Sequence, residues 1–166
     1  MIRIRRARPD EAELIRAIEN DAAQRYLGSA HAYVVEHDAA PAEVYAELAA
    51  EGLVFVADLD GEPVGFAACE PIPGALHLHE LAVRLAHQGR GLGRRLIEAS
   101  AKEARRRKLP AVTLTTFATI PWNGPLYAHL GFHELDGTTL SEWLRQKLED
   151  EYGRGLTDRC AMRLAL

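Results

Sequence analysis

Residues 77–93 read HLHELAVRLAHQGRGLG, and no other segment of the sequence indicates the fold and the function as strongly. Its first part, through Leu81, Ala82 and Val83, is typical of a β-strand, and its second part is a glycine-rich turn that leads directly into a helix. The main-chain N–H groups of such a turn can face a phosphate, and the positive end of the helix dipole lies behind them. The pattern therefore predicts an anion cradle beside a strand that carries two imidazoles and a carboxylate.

Stereochemistry explains why this turn contains glycines. A Cβ atom at Gly89, Gly91 or Gly93 would hinder the approach of a pyrophosphate or require an unfavourable φ angle. The N–H groups of the turn are the expected donors, and Arg90 and Arg94 add positive charge. A dinucleotide site is disfavoured, because the spacing is not Gly-x-Gly-x-x-Gly and the next predicted strand does not end in an acidic residue. A turn used only for packing is the other alternative.

Composition and charge narrow the class of protein. The chain has 166 residues, enough for one domain with a full hydrophobic core, and its formal net charge of −4 disfavours a broad electrostatic grip on nucleic acid. Cys69 and Cys160 lie in apolar surroundings without metal-ligand spacing, which predicts buried, reduced thiols and no metal site. No stretch approaches the roughly 20 apolar residues of a membrane span. We therefore expect a cytoplasmic protein that does not contact a membrane.

Hydrophobic periodicity and turn residues predict strands interspersed with helices. Asp60-Gly61 separates two apolar runs and is a strong hairpin signal. Strands are predicted over residues 2–7, 53–57, 63–69, 76–83, 111–117, 132–135 and 158–166. Helices are predicted over residues 9–22, 41–50, 91–107, 121–130 and 141–151, and residues 28–40 are predicted to be irregular. In the absence of repeats or linkers, the pattern predicts a single α/β domain over residues 1–166 with a mixed sheet.

Two motifs together resemble the GNAT superfamily of N-acetyltransferases. One is the spacing Gln88-x-x-Gly91-x-Gly93, and the other is YAHLGF at residues 127–132, which is similar to the superfamily's Tyr-x-x-x-Gly-Phe segment. The resemblance implies the GNAT fold, an α/β (α+β) architecture with a mixed central sheet of about seven strands flanked by helices, and acetyl-CoA as co-substrate. It implies that residues 81–83 bind the pantetheine arm like an added strand. The implied cofactor-binding residues are Leu81, Ala82, Val83, Gln88, Gly89, Arg90, Gly91, Leu92, Gly93 and Arg94.

The strand before these residues is similar to that of the serotonin (arylalkylamine) N-acetyltransferase branch. In that branch, two histidines at the positions of His77 and His79 are implicated in relaying the proton of the amine. The two imidazoles share one face of a strand, Glu80 takes the other, and imidazole titrates near neutral pH. Glu80 is the alternative base, or an ordinary surface acid, and the histidines are otherwise side chains half-exposed on the sheet. Tyr127 matches the superfamily's usual general acid, and its other role is packing against Phe132.

The resemblance implies direct transfer of acetyl from acetyl-CoA to a primary amine of a small molecule, in a ternary complex and without a covalent enzyme intermediate. Two alternatives stay open: a non-catalytic acyl-CoA-binding regulatory module, and an acetyltransferase that acts on protein amines. A homodimer is expected by analogy alone. The chain departs from the superfamily at Ile120, where many relatives have an Asn that contacts the cofactor, and Asn123 lies only four residues before Tyr127.

Overall fold

The structure, a computed structural model, describes residues 1–37 and 39–166. Its strands form one seven-stranded mixed sheet in the order β1-β2-β3-β4-β5-β7-β6. The strands are β1 (Ile2–Arg6), β2 (Val54–Leu59), β3 (Glu62–Ile72), β4 (Ala75–Val83), β5 (Ala111–Phe117), β6 (His133–Glu134) and β7 (Arg159–Ala165). The predicted mixed sheet of about seven strands is confirmed.

Five α-helices and four short 3-10 helices accompany the sheet. The α-helices are α1 (Ala12–Ala23), α2 (Ala42–Ala50), α3 (Leu92–Arg106), α4 (Gly124–His129) and α5 (Glu142–Gly153). The 3-10 helices are Pro9–Glu11, Gln24–Tyr26, Ala32–Glu36 and Leu85–His87. These counts refer to the residues that the structure describes.

The chain divides into two compact units, of which the first comprises Met1–Glu70 and Glu80–Ser100. Its strands β1, β2 and β3 pair antiparallel. Strands β2 and β3 form a hairpin, and Asp60 and Gly61 at its turn adopt the positive φ angles of 51° and 99° that a tight turn needs. Apolar side chains of α1 and α2 pack on these strands because they recur at helical spacing on one face. The buried cluster contains Ala7, Ala12, Ile15, Ile18, Tyr45, Ala49, Val54, Val56, Phe66, Ala68 and Ala82.

The second unit comprises Pro71–His79 and Ala101–Leu166. Strand β5 is its centre and pairs antiparallel with β7 over seven positions, from Ala111↔Ala165 to Phe117↔Arg159. Parallel pairing of β4 with β5 covers Leu76↔Val112 and His77↔Thr113, and in the described part of the chain it ends there.

Two sequence predictions need correction or completion. Strand β3 does not end at residue 69 but continues through Pro71 to Ile72. Pro71 is exposed and lies one residue before the end of the strand. Within the predicted irregular segment 28–40, Ala32–Glu36 forms a 3-10 helix, while Asp38 lies outside the described residues. The assignment of residues 1–166 to one domain stays a prediction.

Candidate functional site

The glycine-rich turn between β4 and α3 has the backbone that the sequence predicts at two of its three glycines. Gly89 and Gly91 adopt φ angles of +77° and +75°, a region that residues with a Cβ atom rarely enter. A Cβ atom at either position would meet open space, so the requirement within the protein alone is conformational. Gly93 has an ordinary φ angle, and a Cβ atom there would lie 3.9 Å from Leu81 Cδ2.

Helix α3 begins at Leu92, immediately after the turn. The first N–H groups of an α-helix have no partner within the helix, and the helix dipole adds partial positive charge at that end. Leu92 is buried and anchors the first helical turn, whereas Arg90 and Arg94 are exposed beside it. The turn therefore combines main-chain donors, a dipole and two guanidinium groups, which is the donor chemistry that a phosphate group needs.

The turn is fixed to the end of β4 by the side chain of Gln88. Its Nε2 atom donates to the carbonyl oxygen of Val83 over 2.9 Å, and its Oε1 atom accepts from Arg25 Nη1 over 2.8 Å. The main-chain N–H of Leu85 donates to Asp21 Oδ2 over 2.8 Å, which ties the same connection to α1. Because its side-chain amide is used within the protein, Gln88 positions the turn rather than extending into solvent.

Two unpartnered nitrogens precede the turn, and the sequence reasoning missed both. Arg84 Nε and His87 Nδ1 are buried, and neither has a hydrogen-bond partner among the described residues. A buried polar atom without a partner is costly, and a bound anion would satisfy Arg84 Nε, and also His87 Nδ1 in the tautomer that carries the proton there. Together with the open space at Gly89 and Gly91, these donors fit a diphosphate group at the turn. In the sequence, the only indication of a role for Arg84 and His87 is that they lie between the strand and the glycine-rich turn.

The end of β4 is held closely against β3. Arg84 N–H donates to the carbonyl oxygen of Val64 over 2.9 Å. A Cβ atom on Gly65 would lie 3.2 Å from the carbonyl oxygen of Ala82 and 3.2 Å from Val83 Cγ2. The absence of a side chain at Gly65 therefore sets how near β3 comes to the segment that the sequence assigns to the cofactor.

His77 is buried, with 1 % of its surface exposed. Its Nδ1 atom lies 2.9 Å from Thr113 Oγ1, and its ring contacts Trp143 edge-on at a centroid distance of 4.7 Å. Burial, then the charges of Lys147 and His79, lower the pKa of His77 to about 3. The imidazole is thus neutral at physiological pH and packed in the protein interior.

His79 lies two residues further along β4 and is half-buried. Burial, followed by the positive charges of Lys147 and Arg154, lowers the pKa of His79 to about 4. Both histidines that the sequence assigns to a proton relay therefore have environments that disfavour the protonated form.

Glu80, the next residue of β4, lies in an acidic cluster. Its carboxyl group is hydrogen-bonded to that of Glu19 on α1, and Tyr45 Oη on α2 donates to Glu19 Oε2 over 2.7 Å. Burial raises the pKa of Glu19 despite these bonds. The sequence reasoning missed Glu19, although it occupies a position of the apolar stripe formed by Ile15, Ile18 and Ala22, where a carboxylate is unexpected.

Tyr127 lies on α4 and is 8 % exposed, with its ring edge-on to Phe132 at 5.7 Å. The packing contact predicted from the sequence is confirmed. Helix α4 begins at Gly124, and only glycine fits there because a Cβ atom would lie 2.5 Å from the carbonyl oxygen of Ala118. The main-chain N–H of Tyr127 donates to Asn123 O over 3.0 Å.

Ile120 and Asn123, where the sequence departs from the superfamily, both make contacts within the protein. Ile120 is buried. Asn123 Oδ1 accepts from Thr116 Oγ1 over 3.1 Å, which engages its side chain with β5.

No group of three or more His, Cys, Asp or Glu side chains with metal-binding geometry occurs among residues 1–37 and 39–166. None of the helices in that same part of the chain has the length and apolar character needed to cross a membrane.

Residues 15–132 match the family model described as the acetyltransferase (GNAT) family. Solved structures share the fold at low identity. The PaiA N-acetyltransferase from Thermoplasma acidophilum, in complex with coenzyme A, has a TM-score of 0.75 and 14 % identity and covers 100 % of this chain and 99 % of its own. The ribosomal-protein-S18-alanine N-acetyltransferase from Escherichia coli has a TM-score of 0.70 and 22 % identity, with 99 % and 94 % covered.

A third structure is the N-acetylglutamate synthase from Neisseria gonorrhoeae complexed with coenzyme A and N-acetyl-glutamate. It has a TM-score of 0.69 and 19 % identity, and the match covers 100 % of this chain but 35 % of that chain. The fold predicted from the two sequence motifs is confirmed by these likenesses.

Proposed function

The chain belongs to the acetyltransferase (GNAT) family, and we propose that it moves the acetyl group of acetyl-CoA to a primary amine of a small molecule. The observation that carries this proposal is the turn at Gly89 and Gly91, which opens α3 and is preceded by the buried, unpartnered nitrogens Arg84 Nε and His87 Nδ1. Coenzyme-A-bound neighbours of the same fold support it.

We propose the same cofactor contacts that the sequence predicts. The turn from Gln88 to Gly93 would bind the diphosphate of coenzyme A through its main-chain N–H groups, with Arg90 and Arg94 adding charge. The main chain of residues 81–83 would hold the pantetheine arm as an added strand. Among the described residues, β4 pairs with β5 only at Leu76 and His77, and this supports the assignment, since the edge of residues 81–83 that faces away from β3 retains donors and acceptors for a ligand.

Glu80 is the proton acceptor that we favour for the amine. Only the free amine attacks a thioester, so the ammonium form must first lose a proton. Glu80 lies one residue before the proposed cofactor segment and is half-buried, whereas His77 is enclosed in the protein interior. We keep His79 as the second choice, and the similarity to the arylalkylamine branch rests on the HLHE motif alone.

Tyr127 is the proposed general acid. A phenol with a pKa near 10 can donate a proton to a departing thiolate and recover it from solvent. Its ring is fixed by Phe132, so packing and proton donation are compatible. In this scheme the amine attacks directly, no residue of the chain forms a covalent intermediate, and one proton is released for each acetyl group transferred.

An alternative acceptor is the amine of a protein, since the neighbours include a ribosomal-protein-S18-alanine N-acetyltransferase as well as an N-acetylglutamate synthase. A non-catalytic acyl-CoA module is disfavoured because the family is one of acetyltransferases. A cytoplasmic location and a homodimer remain predictions.

Calorimetry and a turnover assay test the proposal together. We expect coenzyme A to bind the folded protein, and we expect thiol release from acetyl-CoA with at least one member of a panel of alkylamines, aminoglycosides, amino acids and peptides. Absence of binding at millimolar coenzyme A would overturn the cofactor assignment. Turnover confined to peptides would replace the small-molecule acceptor with a protein amine.

A further inference from the structure

Helix α5 covers the face of β4 and β5 to which His77 belongs, and all of these residues lie in the second compact unit. Near the start of the helix, the Trp143 ring contacts the His77 ring edge-on at a centroid distance of 4.7 Å. About two turns later, Glu151 Oε2 accepts from Thr115 Oγ1 over 2.7 Å. Thr113 shares one face of β5 with Thr115, and its Oγ1 atom lies 2.9 Å from His77 Nδ1.

Lys147 occupies the turn of α5 between these two contacts. It is four residues from Trp143 and four from Glu151, so the three side chains lie along one face of the helix. On β4, His79 shares the face of His77, and among the described residues β4 pairs with β5 no further than His77. In agreement with this position, the pKa values of both histidines are lowered by burial and next by the charge of Lys147.

The positive charge of Lys147 is not compensated within the described part of the chain. The residue is half-buried, and its ammonium group has no ion pair or hydrogen bond to residues 1–37 or 39–166. The next carboxylate on its face of the helix, that of Glu151, is engaged by Arg159 Nε over 3.0 Å and by Thr115. Because an uncompensated charge is unfavourable away from water, a ligand that brings an anionic group is favoured at this position.

Lys147 is accessible to solutes from an open depression of about 590 Å³. The depression is lined by Lys147, Glu149, Asp150, Gly153 and Arg154. Lys147 is the only half-buried member of this set, and the other four are exposed. The depression therefore presents an inner cation with both signs of charge outside it, a pattern that complements a zwitterion better than a plain alkylamine.

We propose that Lys147 is a specificity-determining residue that binds the carboxylate of the acceptor, so that the substrate class is a small amino acid rather than a simple amine. Along β4, His79 is followed by Glu80, the proton acceptor proposed above, and then by the proposed cofactor segment. Lys147 forms an ion pair with the acceptor and takes no part in proton transfer. This inference rests on the proposed function, whose acceptor it narrows.

Matched acceptors test the specificity. The pairs are β-alanine with β-alaninamide and γ-aminobutyrate with γ-aminobutyramide, whose members differ in negative charge but not in size. With kcat/KM expressed per free amine, we expect wild type to prefer the acids about tenfold to a hundredfold, the range that hydrogen bonds to a charged group give. Lys147→Gln should remove this preference, mainly through KM, whereas Lys147→Arg should retain part of it.

Arg145→Gln is the matched control for charge. It also removes one positive charge from α5, but at an exposed position that pairs with Glu142. This variant should prefer the acids as wild type does. Equal kcat/KM values for acid and amide in wild type, or a preference that persists in Lys147→Gln, overturn the inference. Both results still require amine turnover, so they leave the proposed function standing.

Binding of the carboxylate is tested without turnover. The chain has three lysines, Lys102, Lys108 and Lys147, and reductive methylation with ¹³C-formaldehyde gives each an NMR signal while its charge is retained. Sodium N-acetyl-β-alaninate, which has no amine left to acetylate, should shift the Lys147 signal saturably and leave the other two signals in place. N-acetyl-β-alaninamide, and sodium chloride at equal ionic strength, should not.

This titration decides the inference even if no amine of the panel is turned over. A Lys147 signal that does not respond to the carboxylate, or that responds equally to all three additions, overturns the carboxylate site. Absence of turnover with every acceptor contradicts the proposed function instead. The two failures are therefore read from different measurements.

Discussion

Gln88 Nε2 donates a hydrogen bond to the main-chain carbonyl oxygen of Val83 over 2.9 Å. This single contact joins the glycine-rich turn to the end of the strand that precedes it. The other end of the same side-chain amide accepts from Arg25, which follows α1. The side chain of Gln88 therefore fixes the position of the proposed diphosphate-binding turn relative to the proposed pantetheine-binding strand.

Replacement of Gln88 by Ala should weaken coenzyme A binding without unfolding the protein. Loss of the contact to Val83 frees the turn relative to β4, and we expect affinity to fall about fivefold, equal to roughly 1 kcal/mol. Calorimetry with coenzyme A measures the change. Gln146→Ala, which removes an exposed glutamine on α5, is the control and should bind as wild type does. Unchanged affinity in Gln88→Ala would contradict the positioning role.

Gly91→Ala should reduce both stability and coenzyme A affinity. The φ angle of +75° at Gly91 costs an L-residue about 1–2 kcal/mol, and the new methyl group points into the space where a phosphate would bind. Gly74→Ala is the matched control, since Gly74 has a φ angle of +78° and open space around it in the turn between β3 and β4. Both variants should lose similar stability in urea denaturation, but only Gly91→Ala should lose affinity. Equal affinities would count against a phosphate at this turn.

Acidification should destabilise the protein through His77. The pKa of an unperturbed imidazole is 6.5, and burial lowers that of His77 to about 3 in the folded protein, so the unfolded state binds the proton first as the pH falls. The stability contributed by the neutral imidazole is fully present above pH 6.5 and is lost progressively toward pH 3, with a slope of about 1.4 kcal/mol per pH unit.

The measurement is the free energy of unfolding at several pH values below 7, for wild type and for His77→Leu. The variant should be less stable at neutral pH, because Thr113 loses its partner, but its pH dependence should be flatter. His133→Leu, at an exposed position of β6, should leave the dependence as it is. A wild-type slope retained in His77→Leu would show that other groups cause it.

Tyr127→Phe should lower turnover far more than cofactor affinity. The variant keeps the edge-on contact with Phe132 and loses only the hydroxyl group, so the fold is expected to persist. Removal of a general acid typically costs about a hundredfold or more in rate. Steady-state thiol release and coenzyme A calorimetry measure the two quantities separately. Tyr152→Phe, at a half-exposed tyrosine of α5, is the control. Wild-type turnover in Tyr127→Phe would remove this residue from the mechanism.

Features encoded by local stereochemistry could be predicted from the sequence. Positive φ angles at Gly89 and Gly91 follow from glycine's lack of a Cβ atom, and the Asp60-Gly61 turn follows from hairpin geometry. The helix after Gly91 and the contact between Tyr127 and Phe132 were likewise readable, since they involve residues close in the chain.

Features that depend on distant residues could not be predicted in the same way. The period of a strand places His77 and His79 on one face, but burial on both faces of β4 is set by elements such as α5, which supplies Trp143. The partner of Glu80 lies on a helix 61 positions earlier in the chain, at Glu19, and only the polar interruption of an apolar stripe hinted at it.

Gly65 places a constraint on this protein that its glycine motif does not reveal. A Cβ atom at Gly89 or Gly91 meets no other atom of the protein, whereas one at Gly65 would lie 3.2 Å from the carbonyl oxygen of Ala82 and 3.2 Å from Val83 Cγ2. A comparison of sequence variants that is restricted to the residues of the glycine-rich turn would therefore omit Gly65, the position at which an added side chain most directly displaces residues 82 and 83. Tolerance to substitution should be lower at this silent position on β3 than its distance from the signature suggests.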